Sequence, residues 1–135
     1  MAEKKLRLEV VTPDRLVLST DADVVVCPGV EGQFGVLVGH VPFLSALEIG
    51  EMYYRLGGMT EHLCISGGFA EVTGEKVTII AEAAERSCDI DLERARRAKE
   101  RAERRLAVAR TEEVDYVRAE VALRRAIVRE KVGSR

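Results

Sequence analysis

The residues of this sequence that could do chemistry by type and spacing lie in Ile90-Asp91-Leu92-Glu93-Arg94-Ala95 and its surroundings. Asp91 stands where a helix should begin. Aspartate caps a helix well, because its carboxylate accepts from the unpaired amides of the first turn. The same helix end carries a partial positive charge that attracts anions. Arg94, Arg97 with Ala98, and Arg101 are spaced to present cations along one side of that helix, while Glu85 ends the preceding apolar run. A carboxylate, a positive helix end and a file of arginines thus meet beside the end of a sheet. They form either a plain helix cap with solvated neighbours or an anion-binding site.

Before this junction the chain is written in short apolar runs broken by Gly and Pro. Lys4–Val11 alternates, with Leu6, Leu8 and Val10 on one side and Arg7 and Glu9 on the other, as a half-buried strand does. Arg15–Ser19 and Asp23–Cys27 read as two more strands. Glycines at 29, 32, 35, 39 and 50, with Pro42, punctuate the next stretch and mark turns and bulges. Met52–Ile65 reads as a hairpin turning at Gly57-Gly58, and Phe69–Val72 turns through Thr73–Lys76 into Val77–Glu85. The spacing predicts eight to ten short strands without a helical crossover, an antiparallel sandwich or flattened barrel.

After the junction the period changes. Leu92, Ala95, Ala98, Ala102, Leu106 and Ala109 follow spacings of three and four, one apolar stripe on a helix. Thr111-Glu112-Glu113 offers a cap and acidic first turn for a second helix. Val114, Val117, Val121 and Val128 continue a stripe along it, widened by Leu123 and Ile127. So short a break predicts an antiparallel helical hairpin over 87–135, after a strand domain over 1–86. The first helix's seam is mostly alanine. Burying an alanine methyl contributes about 0.8 kcal/mol, against roughly 1.5–3 for Leu or Val. Such a hairpin should be marginal, and a ligand or partner could decide its state.

Composition excludes several classes of function. With 4% aromatic residues and no Trp, the core must be aliphatic. Net charge is -2 but polarised: residues 1–84 hold 6 Lys and Arg against 12 Asp and Glu, residues 85–135 hold 15 against 11. Cys27, Cys64 and Cys88 are odd in number and far apart, which argues for buried free thiols rather than disulfides or a zinc site. His40 and His62 have no nearby nucleophile in a recognisable motif. No phosphate-binding GxxxxGK[ST] loop is present, so a bound nucleotide would not imply an ATPase. Arg96-Arg97, Arg104-Arg105 and Arg124-Arg125 could meet nucleic acid, but Glu93, Glu100, Glu103 and Glu120 dilute their field and only Tyr116 could stack. No signal peptide or membrane-spanning run is evident, so a soluble intracellular chain is expected.

Three segments together resemble the epsilon subunit of bacterial F-type ATP synthases. Gly29-Val30-Glu31-Gly32, Gly35-Val36-Leu37, His40, Pro42 and Leu47 are similar to that family's glycine-rich segment, with Val38 where it usually has Pro. Gly67-Gly68-Phe69-Ala70-Glu71-Val72 with Ala83-Ala84-Glu85 is the second segment. Ile90–Ala95 matches the I/L-D-x-x-R-A pattern of nucleotide-binding members. The resemblance implies a ten-stranded β-sandwich followed by a helical hairpin. It also implies a non-catalytic rotor subunit at the cytoplasmic face of the bacterial membrane, touching membrane only through its complex.

Its partners would be the gamma subunit and the c-ring, and the beta and alpha subunits when the hairpin extends to inhibit ATP hydrolysis. ATP would be a regulatory ligand favouring the folded arm, with no metal strictly required. Glu85 and Asp91 would accept from adenine or ribose, within the Ile90–Ala95 motif. Arg94 and Arg101, with Arg124, Arg125 or Arg129, would meet the phosphates. Glu31, His40, Val41 and Pro42 would face gamma or the c-ring. A purely structural rotor subunit and a nucleic-acid-binding adaptor are the alternatives.

Overall fold

A computed structural model describes residues 4–108 and 113–135, with the backbone alone at 108 and 113–115, and among the described residues there are eight strands and two α-helices. Two compact units divide it, Met1–Arg86 and Ser87–Arg135.

In the first unit, β1 (Leu6–Val11) buries Leu6, Leu8 and Val10 completely and leaves Arg7 exposed, the alternation its sequence dictates. It pairs antiparallel with β2 (Leu16–Ala22), the register slipping by one residue after Val10. β3 (Val24–Gly29) and β4 (Gly32–Leu37) form a hairpin. Two long strands follow, β5 (His40–Leu56) and β6 (Met59–Gly74), then β7 (Lys76–Ala81) and the short β8 (Ala84–Arg86). The order is β2-β1-β7-β6-β5-β3-β4, with β8 also on β6.

Eight strands stand where about ten were expected, because residues read as separate strands run on through glycine. β5 passes through Gly50 and β6 through Gly67-Gly68 without losing their mutual pairing. Gly67 and Gly68 have φ of 77° and 116°, which let β6 turn from one layer to the other. The first half of β6 pairs β8 and the second half pairs β7. All pairings are antiparallel except β1 with β7, which are parallel. The β6–β7 hairpin returns β7 along the free edge of β1, a direction that alternation does not encode. Both layers face one aliphatic core that includes Leu6, Leu8, Val25, Met52, Leu63, Ile65 and Ile79.

The second unit opens with a 3-10 turn at Ser87–Asp89, then α1 (Leu92–Val108) and α2 (Glu113–Gly133). Strong helix formers fill α1. Its start is capped by Asp91, whose Oδ1 accepts from the Arg94 amide at 3.1 Å. The buried seam is Ala95, Ala102, Ala119 and Ala126. Each pair is seven residues apart, so small residues face each other where the helices touch. The valine stripe expected on α2 is not the packed one: Val117 and Ile127 are exposed, and Val121, Leu123 and Val128 only half-buried. Close approach selects alanine and turns the bulkier side chains outward. The cap assigned to Thr111 and Glu112, the stripe position Ala109, and the side chains of Glu113 and Val114 lie outside the described residues.

Candidate functional site

Arg101 and Arg105 are four apart on α1, and Arg125 and Arg129 four apart on α2. Each pair therefore projects from one helix face. All four line one groove of about 200 Å³ floored by Ala98, Ala102, Ala122 and Ala126. Alanine makes this possible: it lets the backbones approach and leaves a trough over which long side chains arch. Like charges at i,i+4 repel by a few tenths of a kcal/mol. Glu130 on α2 reaches across to Lys99 at 3.6 Å and Arg96 at 3.9 Å, clipping the helices together away from the groove. Four guanidinium groups around a shallow trough can hold an extended polyanion, each offering a planar fork to phosphate oxygens.

The structure gathers some of the expected site residues and separates others. Arg101, Arg125 and Arg129 share the groove. Arg105 lines it too; its i+4 relation to Arg101 is the sequence signal for this, which a reading of Arg104-Arg105 as a generic basic cluster passes over. Arg124 is exposed on α2 and does not line the groove. Arg94 is exposed in the first turn of α1, seven residues or about 10 Å along the axis from Arg101. Asp91 serves as the cap, which engages Oδ1 and leaves Oδ2 for another donor. Ala95 is completely buried in the seam and Ile90 is buried against Gly133, so both act through packing. Glu85 is half-buried in β8, opposite Cys64 of β6, in the first unit.

The first unit carries a separate feature that alternation could have shown. With Ala70, Val72, Val77 and Ile79 inward, Phe69 and Ile80 must point outward. The ladders align Ala46, Phe69, Ile80, Val11 and Leu16 in one row across β5, β6, β7, β1 and β2. Phe69, Ile80 and Leu16 are more than half exposed, as is Leu44 beside them. Contiguous apolar surface on a soluble sheet marks a contact face. Nearby, a groove of about 540 Å³ runs between the β3–β4 turn and β5, lined by Val30, Glu31, Phe34, Phe43 and Leu44 among others. Glu31 is exposed on this rim. His40 opens β5, its ring 5.8 Å from that of Phe43 and its Nδ1 2.7 Å from the Val41 carbonyl oxygen. Val41 and Pro42 are exposed beside it.

Among the described residues no cluster of His, Cys, Asp or Glu is arranged to hold a metal, and no helix is long and apolar enough to cross a membrane. Cys27 and Cys64 are buried, and burial pushes the Cys27 thiol up to about 12. Cys88 is exposed, contrary to the expectation that all three are buried, because the 3-10 turn turns it outward beside Asp89.

A folded-over β-sandwich with an exposed apolar row, followed by an alanine-seamed helical hairpin with a cationic groove, defines a two-part class of protein. Residues 5–87 match the ATP synthase delta/epsilon chain β-sandwich domain, and residues 89–132 the ATP synthase delta/epsilon chain long α-helix domain. The chain belongs to the delta/epsilon chain family of ATP synthases, as an epsilon chain. The ATP synthase epsilon chain of Nitratidesulfovibrio vulgaris strain DP4 is 59% identical over 130 residues, covering 96% of both chains. That of Syntrophobacter fumaroxidans is 51% identical over 135 residues, covering 100% of this chain and 99% of its own. A chain in the cryo-EM structure of the Euglena gracilis mitochondrial ATP synthase OSCP/F1/c-ring assembly superposes with a TM-score of 0.83. That chain is 26% identical, and the match covers 96% of this chain and 81% of that one.

Proposed function

We propose that this epsilon chain works in the central rotating stalk of an F-type ATP synthase as a non-catalytic regulator, with the hairpin as an arm that ATP holds closed. The observation that carries the sensing part is the groove in which Arg101 and Arg105 of α1 meet Arg125 and Arg129 of α2. A triphosphate laid there contacts both helices at once. Asp91 Oδ2 is the acceptor offered to the adenine amino group or ribose hydroxyls. The arginines supply the positive charge, so binding has no strict need of a metal. With the helices parted each retains only half of the groove, and the freed arm restrains ATP hydrolysis by reaching the beta and alpha subunits.

The likeness to a chain of an ATP synthase OSCP/F1/c-ring assembly supports docking on neighbouring subunits of a membrane-associated complex. The exposed Leu16–Ile80–Phe69 row suits a large apolar partner surface such as gamma. The polar rim at Glu31, His40, Val41 and Pro42 suits gamma or the loops of a c-ring.

The test is calorimetric titration of ATP, with and without magnesium, into the full chain and an Arg101→Gln/Arg125→Gln variant. Saturable binding abolished in the variant supports the sensor. No heat from a folded wild-type chain at millimolar ATP refutes it and leaves a structural rotor subunit whose arm does not sense nucleotide.

A further inference from the structure

We infer that Ile90, Val132 and Gly133 form a latch that holds the C-terminal end of α2 onto the base of α1, and that the fit of Ile90 against Gly133 sets how readily the hairpin opens. It rests on the reading of the hairpin as a two-state arm, and not on what ligand that arm takes.

Glycine at a helix end usually supplies a left-handed residue that stops the helix. Gly133 is not among the glycines with positive φ. Its helix ends instead on ordinary turns, Ser134 donating from its amide and its hydroxyl to the Glu130 carbonyl and Arg135 donating to Val132. Glycine is also among the poorest helix formers, so local propensity argues against it here. Close approach is what requires it. A Cβ at 133 would lie 2.9 Å from Ile90 Cγ2, 3.4 Å from Ile90 Cβ and 3.4 Å from Leu92 Cδ1.

Ile90 cannot easily yield. Its Cγ2 sits on a β-branched carbon with a stiff χ1, and its amide is tied to the Ser87 carbonyl. Beside this contact Val132 is completely buried, the one large aliphatic side chain that is among the described side chains of α2. One turn away Glu130 pairs with Lys99 and Arg96. The alanine seam gives the helices proximity, while the fit at the C-terminal end gives a position that can be lost in one step. The isoleucine of the Ile90–Ala95 stretch is on this view a positioning residue: it places α2, and with it Arg125 and Arg129.

The experiment places nitroxide labels on Cys88, which is exposed, and on a cysteine replacing Arg135, in the full chain without nucleotide; Cys27 and Cys64 are buried. Pulsed electron-spin measurements then read the distance across the latch. The wild-type chain should show a predominant short distance. Gly133→Leu should shift the short-to-long ratio by roughly tenfold or more, as overpacking does. Gly133→Ala should shift it in the same direction by less, although alanine favours helix. Gly133→Leu combined with Ile90→Ala exchanges the volumes and should restore the short distance. Should Gly133→Leu lose helical circular dichroism, Gly133→Ala decides. A wild-type chain that is open throughout, a Gly133→Ala population identical to wild type, or a double variant as open as Gly133→Leu overturns the latch. Because no ATP is present, none of these outcomes depends on whether the groove binds nucleotide.

Discussion

Replacing Arg105 with glutamine keeps a long polar side chain and removes one of the four charges around the α1–α2 groove. A hydrogen bond to a charged partner contributes about 1.5–3 kcal/mol. Arg105 is exposed, and exposed ion pairs fall toward 1 kcal/mol or less. About 1–2 kcal/mol is therefore the expected loss, a weakening of ATP binding of roughly 5- to 30-fold at about 1.4 kcal/mol per decade. Arg124→Gln is the matched control. It removes the same charge from the same hairpin, but Arg124 is rotated about 100° from Arg125 on α2 and lies outside the groove. At 0.15 M salt, with a screening length of about 8 Å, its loss should change affinity by no more than about twofold. Misfolding would not mimic the result, since removing Arg105 relieves its repulsion with Arg101. Calorimetric titration of both variants decides. Equal losses would mean that a diffuse positive field and not the groove holds the nucleotide, and undiminished binding by Arg105→Gln would refute the placement.

Phe69→Ser with Ile80→Ser should leave thermal stability almost unchanged, because both side chains are already more than half exposed. The pair should still weaken capture of neighbouring stalk subunits at least tenfold in size-exclusion binding. Gly68→Ala should lower the melting temperature sharply, costing more than about 3 kcal/mol, because its Cβ would meet the Ile80 carbonyl oxygen at 2.1 Å and its φ is 116°. Asp23 accepts from Lys5 and from the Gly57 amide, which together hold its carboxyl below the ordinary value of 3.8. That depressed value stabilises the fold fully above about pH 4 and is lost as pH falls through the folded value, so Asp23→Asn should lower the melting temperature more at pH 7 than in strong acid. Native alkylation near pH 7 should modify Cys88 alone, and all three thiols after denaturation; rapid reaction at Cys27 would contradict its burial and raised pKa.

The sandwich was readable because alternation and glycine are local signals. Leu6, Leu8 and Val10 declare their face, and Gly57-Gly58 declares its turn. What was not readable depends on longer range. Gly67-Gly68 breaks a strand by the usual signals, yet here it bends one that stays paired on both sides, since its partners lie far away in sequence. The parallel β1–β7 pairing was hidden for the same reason. On α2 hydrophobicity pointed to the valines while packing chose Ala119 and Ala126, because in a close hairpin the smallest side chain outranks the most apolar one. Three groove arginines were named from sequence. Arg105 and the exclusion of Arg124 required knowing which face of each helix turns to the other, which follows from that same alanine seam.

The seam and the groove are one device seen from two sides. Four buried alanine methyls contribute only about 3 kcal/mol in all, and the arginine pairs beside them subtract from it. Larger side chains at Ala95, Ala102, Ala119 and Ala126 would bury more surface but force the helices apart, and Arg101 and Arg105 could no longer share a ligand with Arg125 and Arg129. On the proposed function, weak closure is thus a condition of the site. A ligand shifts such an equilibrium only by its difference in affinity between the two states. Parting the helices removes two of four arginine contacts, about 2–4 kcal/mol at the values used above, a preference of roughly 30- to 1,000-fold for the closed form. At a hundred times its dissociation constant a ligand specific to the closed form adds about 2.7 kcal/mol, as much as the seam itself provides. On the proposed function, an arm built this way would be held by nucleotide and released without it, whereas an arm seamed with leucine would stay closed in either case.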